Sequence, residues 1–133
     1  MRKIGFIGCG HMAQALIKGL QSNKSYELLG HDRNSKNIAW LKQEKIASYS
    51  LKEVCHEADI LMICVKPKDM YDLCSEMKTH IGKELKIVSV AAGITLENLK
   101  DALSRGKVYR AMPNIGAKHN LGITSIFSHE ELN

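Results

Sequence analysis

The residues of this chain best suited to chemistry form a glycine-rich segment near the N-terminus, Gly8-Cys9-Gly10-His11-Met12-Ala13. The spacing G-x-G-x-x-A is typical of a strand-to-helix turn that holds a pyrophosphate. In such a turn Gly8 permits the sharp bend, Gly10 lets the main chain approach the phosphates, and the small Ala13 lets helix and strand pack closely. The N–H groups that open the helix would face the anion.

The context of this segment favours a ligand site over a turn that binds nothing. An apolar run over 4–8 predicts a buried strand before it, and apolar residues at helical spacing predict a helix from His11 to about residue 22 after it. An acidic residue, Asp32, follows about twenty positions downstream, at the end of the second predicted strand. Strand, glycine turn, helix and acid together predict dinucleotide binding.

The segment that follows the second strand, His31-Asp32-Arg33-Asn34-Ser35-Lys36, bears on which dinucleotide binds. Asp32 in the ribose position would favour NAD(H) by accepting from the 2′-hydroxyl, whereas Arg33, Asn34, Ser35 and Lys36 offer donors to a 2′-phosphate. A solvated loop that caps the next helix is the alternative. We favour NADP(H) and keep NAD(H) as the second choice.

Apolar runs and helical patterns alternate along the whole chain. Strands are predicted over 4–8, 26–31, 46–49, 58–65, 85–90, 107–112 and 122–127. Helices are predicted after the glycine turn, after a cap at Ser35, from Pro67 and after a cap at Thr95. This alternation predicts an α/β fold in one domain, a doubly wound and mostly parallel Rossmann-like sheet with helices on both faces.

Three further strand ends carry unusual residues, Val65-Lys66-Pro67, Ala91-Ala92-Gly93 and Ala111-Met112-Pro113-Asn114. Each has a local explanation: a proline that starts a helix, a turn, and a strand terminator. Because ligands of doubly wound sheets lie outside the carboxyl ends of the strands, their joint position predicts that they line the same crevice as the glycine turn.

Five segments of the chain, G-F-I-G-C-G-H-M-A-Q-A-L-I-K-G, I-C-V-K-P, V-S-V-A-A-G-I-T, R-A-M-P-N and G-I-T, closely resemble the N-terminal domain of pyrroline-5-carboxylate reductases. They occur in order and cover essentially the whole chain. The resemblance implies an oxidoreductase of proline biosynthesis, which transfers a hydride from NADPH or NADH to the C=N carbon of 1-pyrroline-5-carboxylate and yields L-proline in the cytoplasm.

The resemblance also implies the site residues. Those expected at the pyrophosphate are Ile7, Gly8, Cys9, Gly10, His11 and Met12, and those expected at the adenosine ribose are Asp32, Arg33 and Asn34. The nicotinamide side is expected at Cys64, Val65, Lys66, Pro67, Val90, Ala91 and Ala92, and the border with the substrate at Gly93 and Asn114. No residue stands out as a proton donor, so the catalytic acid is left unassigned.

The resemblance sets the expected domain limits as well. Residues 1–127 are expected to form the dinucleotide-binding domain, and 128–133 to begin a helix leading to a helical domain that makes the enzyme a homo-oligomer. Family members usually read M-P-N-T-P-A, whereas Asn114 is followed here by Ile115-Gly116-Ala117, and an asparagine common in the family is replaced around Ser50-Leu51. The 133-residue chain alone is expected to bind the reductant without turning over the substrate.

Two other functions stay open at this point. A reductase of the β-hydroxyacid-dehydrogenase type would use the glycine turn equally well. A regulatory module that senses NAD(P) and performs no chemistry would also fit, because the changes after Asn114 affect the expected substrate edge.

Composition argues against several further classes. The net charge of +5 comes from basic residues spread without a run, and one Trp, four Tyr and two Phe are few for stacking on bases, so nucleic acid is not expected as a partner. No apolar run is long enough for a membrane span. The four cysteines form no C-x-x-C pair and no metal site is expected; Cys9 is the thiol expected to be accessible.

Overall fold

The computed structural model describes residues 2–114 and 122–128, with side chains over 2–111. The strands are β1 (Arg2–Ile7), β2 (Tyr26–His31), β3 (Ala47–Ser48), β4 (Ile60–Ile63), β5 (Lys86–Ser89), β6 (Lys107–Asn114) and β7 (Gly122–Ser128). The helices are α1 (His11–Leu20), α2 (Ser35–Gln43), α3 (Leu51–Glu57), α4 (Met70–Met77) and α5 (Leu96–Leu103), and a 3-10 turn, Pro67–Asp69, precedes α4.

The seven strands form one sheet in the order β3-β2-β1-β4-β5-β6-β7. The first six are parallel, and β7 pairs antiparallel with β6. The chain winds outward from β1 to β3, then returns to the middle and winds the other way from β4. A crevice therefore opens where β1 and β4 lie side by side, because their following segments leave toward opposite faces. The predicted doubly wound α/β fold is confirmed.

Each face of the sheet carries its own apolar core. On one face α1 and α2 pack Ala13, Ile17 and Leu41 against Phe6 of β1 and Met62 of β4. On the other, α3, α4 and α5 cover the alternate strand residues, and this cluster includes Ile7, Leu61, Ile63, Met77 and Leu99. Because both faces of the sheet are covered, β4 and the part of β1 from Ile4 to Ile7 are apolar throughout.

Several element boundaries differ from the prediction. Asn34, not Ser35, caps α2, because its backbone is extended and its Oδ1 accepts from the N–H groups of Lys36 and Asn37. Thr95 caps α5 as predicted. Strand β7 runs through Ser128. Residues 115–121 and 129–133 lie outside the described residues. They include the departure from the family pattern at Ile115-Gly116-Ala117 and most of the expected helix start.

Helix α3 was not predicted. Its first turn carries a capping box in which the Ser50 hydroxyl accepts from the Glu53 N–H at 3.1 Å and the Glu53 carboxylate accepts from the Ser50 N–H at 3.1 Å. The pattern S-x-x-E is a recognisable helix start, so the sequence contained the signal. The helix presents Val54 and Cys55 to the core.

None of the helices in the described part of the chain combines the length and the apolar character that crossing a membrane requires.

We expect Ser50→Ala to lower the free energy of unfolding by about 1 kcal/mol, because the cap of α3 is lost. The measurement is urea denaturation followed by circular dichroism. Ser75→Ala is the matched control, since Ser75 is exposed within α4 and caps no helix, and alanine should leave stability equal or slightly higher there. Equal effects of the two substitutions would contradict the assigned cap.

Candidate functional site

An open cleft of about 720 Å³ lies at the carboxyl ends of β1, β2 and β4, where the sheet order predicts a ligand. Its lining residues come from the glycine turn, the β2–α2 turn and the segment from β4 into α4. They are Ile7, Gly8, Gly10, His11, His31, Asp32, Arg33, Asn34, Asn37, Cys64, Val65, Lys66, Lys68, Asp69 and Leu73.

Gly8 lies where the ends of three strands meet. Its N–H donates to the His31 carbonyl of β2 at 3.0 Å, and its φ of +86° belongs to the left-handed region. A Cβ at this position would lie 3.0 Å from the carbonyl carbon of Cys64 and 3.0 Å from the nitrogen of Val65. Both the conformation and the backbone contact therefore require glycine here.

Gly10 performs a different task. It precedes α1 with φ −79°, which any residue adopts, and a Cβ there would meet nothing within 4 Å. Among the described residues no side chain caps α1, and its first turn contains no acidic residue. The start of α1 therefore lies uncapped at the cleft, which Gly10 and His11 line, and it carries the partial positive charge that suits a phosphate.

The prediction that the Cys9 thiol is accessible is wrong. The side chain is fully buried, and its Sγ lies 3.6 Å from the carbonyl oxygen of His31 and 3.7 Å from that of Phe6. The turn at Gly8 directs this side chain into the core beside Gly30, so only the main chain of Cys9 belongs to the glycine turn. Burial, and then the nearby Asp32 carboxylate, raise the pKa of the Cys9 thiol to about 12.

Asp32 lies in the cleft with its carboxylate turned toward the protein. Its Oδ2 accepts from the Cys9 N–H at 2.6 Å and from the Asn37 side-chain amide at 2.9 Å, and its Oδ1 accepts from the Asn34 N–H at 2.8 Å. Burial raises the pKa of this carboxyl, but the hydrogen bonds outweigh it and hold the pKa below the ordinary value.

The β2–α2 turn and the segment from β4 into α4 each contribute cationic side chains to the cleft, three in all, against the two carboxylates of Asp32 and Asp69. Arg33 is exposed on the β2–α2 turn, while Lys66 and Lys68 are exposed on the segment after β4. None of these three side chains is in an ion pair with another residue of the described part of the chain. These three side chains therefore offer charge to an anionic ligand.

Of the residues predicted from the sequence, ten line this cleft: Ile7, Gly8, Gly10, His11, Asp32, Arg33, Asn34, Cys64, Val65 and Lys66. Others do not: Cys9, Met12, Pro67, Val90, Ala91, Ala92 and Gly93. Met12 and Val90 pack against the core and Ala91 is buried, whereas Ala92 and Gly93 are exposed beyond β5. The side chain of Asn114 lies outside the described residues, so its position at the substrate border stays a prediction, as do the cofactor contacts of the others.

The sequence reasoning missed five lining residues, His31, Asn37, Lys68, Asp69 and Leu73. His31 and Lys68 are next in the sequence to the predicted site residues Asp32 and Pro67, so their neighbouring position was the signal that could have identified them. Nδ1 of His31 donates to the Tyr49 carbonyl at 2.9 Å, which joins β2 to the segment after β3. Asn37 faces Asp32 only because α2 starts at Ser35, a boundary that depends on the Asn34 cap.

No group of three or more His, Cys, Asp or Glu side chains is arranged to hold a metal within the described residues. All four cysteines are free thiols.

Sheet order, glycine turn, uncapped helix start and cationic cleft together define a dinucleotide-binding α/β domain of the Rossmann type. A family model described as NADP oxidoreductase coenzyme F420-dependent matches residues 3–93. The chain belongs to this family. This assignment confirms the predicted cofactor class, a nicotinamide dinucleotide.

Relatives of known name agree with the resemblance described above. The chain is 37% identical over 131 residues to pyrroline-5-carboxylate reductase of Escherichia coli, covering 94% of this chain and 49% of that protein. It is 33% identical over 128 residues to that of Methanosarcina acetivorans, covering 87% and 45%. A solved pyrroline-5-carboxylate reductase from Coxiella burnetii superposes with a TM-score of 0.77 at 26% identity, covering 84% of this chain and 43% of that one.

These matches confirm the resemblance to the N-terminal part of pyrroline-5-carboxylate reductases. The chain spans about half the length of the curated relatives it matches.

We expect all four thiols of the folded chain to resist alkylation. Burial raises the pKa of Cys9 to about 12 and the pKa values of Cys55 and Cys74 to about 11, and it also raises the pKa of Cys64. For a pKa of about 12, only about one thiol in ten thousand is ionised at about pH 8, and the thiolate is the reactive form.

The measurement is mass spectrometry of the chain after iodoacetamide treatment, with and without guanidinium chloride. The unfolded chain should take up four groups and serves as the control for reagent activity. Rapid labelling of Cys9 in the folded chain would show that its thiol faces the cleft after all.

Proposed function

We propose that this chain is the NADP(H)-binding part of a pyrroline-5-carboxylate reductase. The observation that carries the proposal is the glycine turn, in which Gly10 leaves an open space above the uncapped start of α1. The relatives that share its sequence at 33–37% identity are named for this activity. In this proposal residues 1–127 form the dinucleotide-binding domain.

The residues present fit a dinucleotide. The N–H groups at the start of α1 would hold the pyrophosphate, with Gly10 allowing close approach. The adenosine end would lie toward the β2–α2 turn, where Arg33 offers a planar, always charged fork to a 2′-phosphate. The Oδ1 of Asn34 is used in the helix cap, which leaves its Nδ2 group to donate. We therefore keep NADPH as the preferred reductant and NADH as the second.

In the proposed reaction the reduced nicotinamide supplies a hydride to the C=N carbon of 1-pyrroline-5-carboxylate, a small-molecule substrate, which becomes L-proline after the nitrogen takes a proton. What this chain contributes is binding and orientation of the reductant. The segment after β4, from Cys64 to Lys66, lines the same cleft and would border the nicotinamide side. No proton donor is assigned to the described residues.

The rest of the proposal concerns the whole protein. The substrate carboxylate would be bound mainly by the half of the relatives that this chain does not span, and that half would also form the homo-oligomer. Location in the cytoplasm belongs to the same proposal. NADPH-dependent formation of proline from 1-pyrroline-5-carboxylate by the natural protein that contains this chain tests the activity; failure to form proline while NADPH binds would favour the regulatory-module alternative.

We expect Gly10→Ala to weaken NADPH binding by about tenfold or more and to leave stability unchanged. The added methyl meets open space in the protein, so only the pyrophosphate would feel it. A loss of tenfold corresponds to about 1.4 kcal/mol of binding free energy. The dissociation constant is measured by NADPH fluorescence, and stability by thermal denaturation.

Two further glycine variants serve as the control and the contrast for Gly10→Ala. Gly82→Ala is the matched control, because a Cβ at Gly82 also meets nothing within 4 Å and Gly82 is outside the cleft. Gly8→Ala should instead lower the unfolding temperature, since its φ is +86° and its added Cβ would lie 3.0 Å from the backbone of Cys64 and Val65, just after β4. Unchanged NADPH affinity in Gly10→Ala would mean that the pyrophosphate does not lie over this turn.

We expect Arg33→Gln to raise the dissociation constant of NADPH by about tenfold and to change that of NADH by less than about twofold, because a hydrogen bond to a charged group contributes about 1.5–3 kcal/mol. Lys52→Gln, an exposed change of the same charge on α3, is the control for net charge. Equal weakening of both dinucleotides would place the 2′-phosphate away from Arg33.

A further inference from the structure

The carboxylate of Asp32 lies at the ribose end of the cleft yet points into the protein, and the function proposed above does not explain this. Resting on that function, we propose that Asp32 is a positioning residue: it fixes the glycine turn in the shape that receives the pyrophosphate, and does not bind the ribose 2′-hydroxyl.

The Asp32 carboxylate joins three segments of the chain. Cys9 belongs to the turn between β1 and α1, Asn34 to the turn between β2 and α2, and Asn37 to the first turn of α2. All three donate to Asp32, at 2.6, 2.8 and 2.9 Å respectively. One side chain thus ties together the two loops that would hold the phosphates and the adenosine ribose.

The glycine turn would lose one of its fixed points without the Asp32 carboxylate. The residue between the two glycines is held at each of its polar groups: the Cys9 N–H by Asp32, the Cys9 carbonyl by the Gln14 amide at 3.0 Å, and the thiol beside the His31 carbonyl. With alanine at position 32 the Cys9 N–H has no acceptor, so the peptide between Gly8 and Cys9 is free to rotate. That rotation would move the N–H groups meant for the pyrophosphate.

Little of the Asp32 carboxylate is left for a ligand. An ionised carboxylate offers about four lone-pair directions, and protein donors occupy three of them. Hydrogen bonds from Asn34, Cys9 and Asn37 hold the pKa of Asp32 below its ordinary value against the effect of burial. At neutral pH the carboxylate can therefore accept hydrogen bonds but cannot donate one. A ribose hydroxyl would find its acceptor oxygens already engaged.

The experiment compares Asp32→Ala and Asp32→Asn for binding of NADPH and of NADH, measured by fluorescence on the folded chain. We expect Asp32→Ala to raise both dissociation constants by a similar factor, about tenfold, so that their ratio changes by less than about twofold. Asp32→Asn keeps one oxygen for the Cys9 N–H and should recover part of the affinity for both. Asp101→Asn, an exposed carboxylate on α5, is the control.

A second readout does not depend on ligand. The amide proton of Cys9 should resonate downfield in the wild type, because its acceptor is a charged oxygen at 2.6 Å, and should move upfield as the pH falls below the usual carboxyl pKa of 3.8. The movement should vanish in Asp32→Asn. A Cys9 amide that does not follow the titration of Asp32 overturns the proposal even where a variant is unstable.

The outcomes separate the two proposals. Selective loss of NADH binding in Asp32→Ala and Asp32→Asn, with NADPH unaffected or tighter, would show that Asp32 binds the ribose, and this inference would be wrong while the proposed function stands. If the wild-type chain binds neither dinucleotide, the proposed function is wrong and this inference falls with it.

Discussion

The packing of Gly8 between the ends of β2 and β4 is the constraint on which the rest of the site depends. The chain leaves β1 with the Gly8 N–H on the His31 carbonyl, and the Cys64 N–H of the neighbouring segment donates to the Ile7 carbonyl at 2.8 Å. No Cβ fits between these backbones, and a φ of +86° is needed to leave the sheet there. The direction of α1, the burial of Cys9 and the open space over Gly10 all follow from this turn.

The fold was largely predictable because apolar strand runs and apolar residues at helical spacing are both clear in the sequence. Strand β2 is observed at the predicted bounds, Tyr26–His31, and β4 lies inside the predicted apolar run 58–65. Helix α3 was missed because its seven residues are too few for a full amphipathic stripe, and only the S-x-x-E start at Ser50 marks it. The cap of α2 was placed one residue late, since Asn34 and Ser35 are both good caps and backbone conformation decides between them.

The candidate site was predictable as a place and less so as a set of contacts. The glycine spacing and the end of β4 located the crevice, and ten predicted residues line it, whereas the predicted residues after β5, Ala91, Ala92 and Gly93, do not. The orientation of Cys9 could not be read from the sequence, because it depends on how far the Gly8 turn rotates the following residue. Asp32 lines the cleft as its position in the sequence predicts. Its partners, Cys9 and Asn37, are 23 and 5 residues away in sequence and meet it only once β1, β2 and α2 are assembled.

A carboxylate beside an expected anion site looks unfavourable, and the geometry explains how the cleft accommodates it. Three N–H donors of the protein stabilise the charge of Asp32, so its oxygens are engaged by the protein before a ligand binds. Toward the ligand the cleft presents the positive end of α1, which carries no acidic residue in its first turn. It also presents the side chains of Arg33, Lys66 and Lys68, which outnumber the other carboxylate of the lining, Asp69. Because an acid here organises N–H groups before a ligand arrives, part of the ordering that binding would otherwise require is already complete in the folded chain. A negative charge in the cleft is thus compatible with anion binding, provided that it faces the main chain that shapes the site.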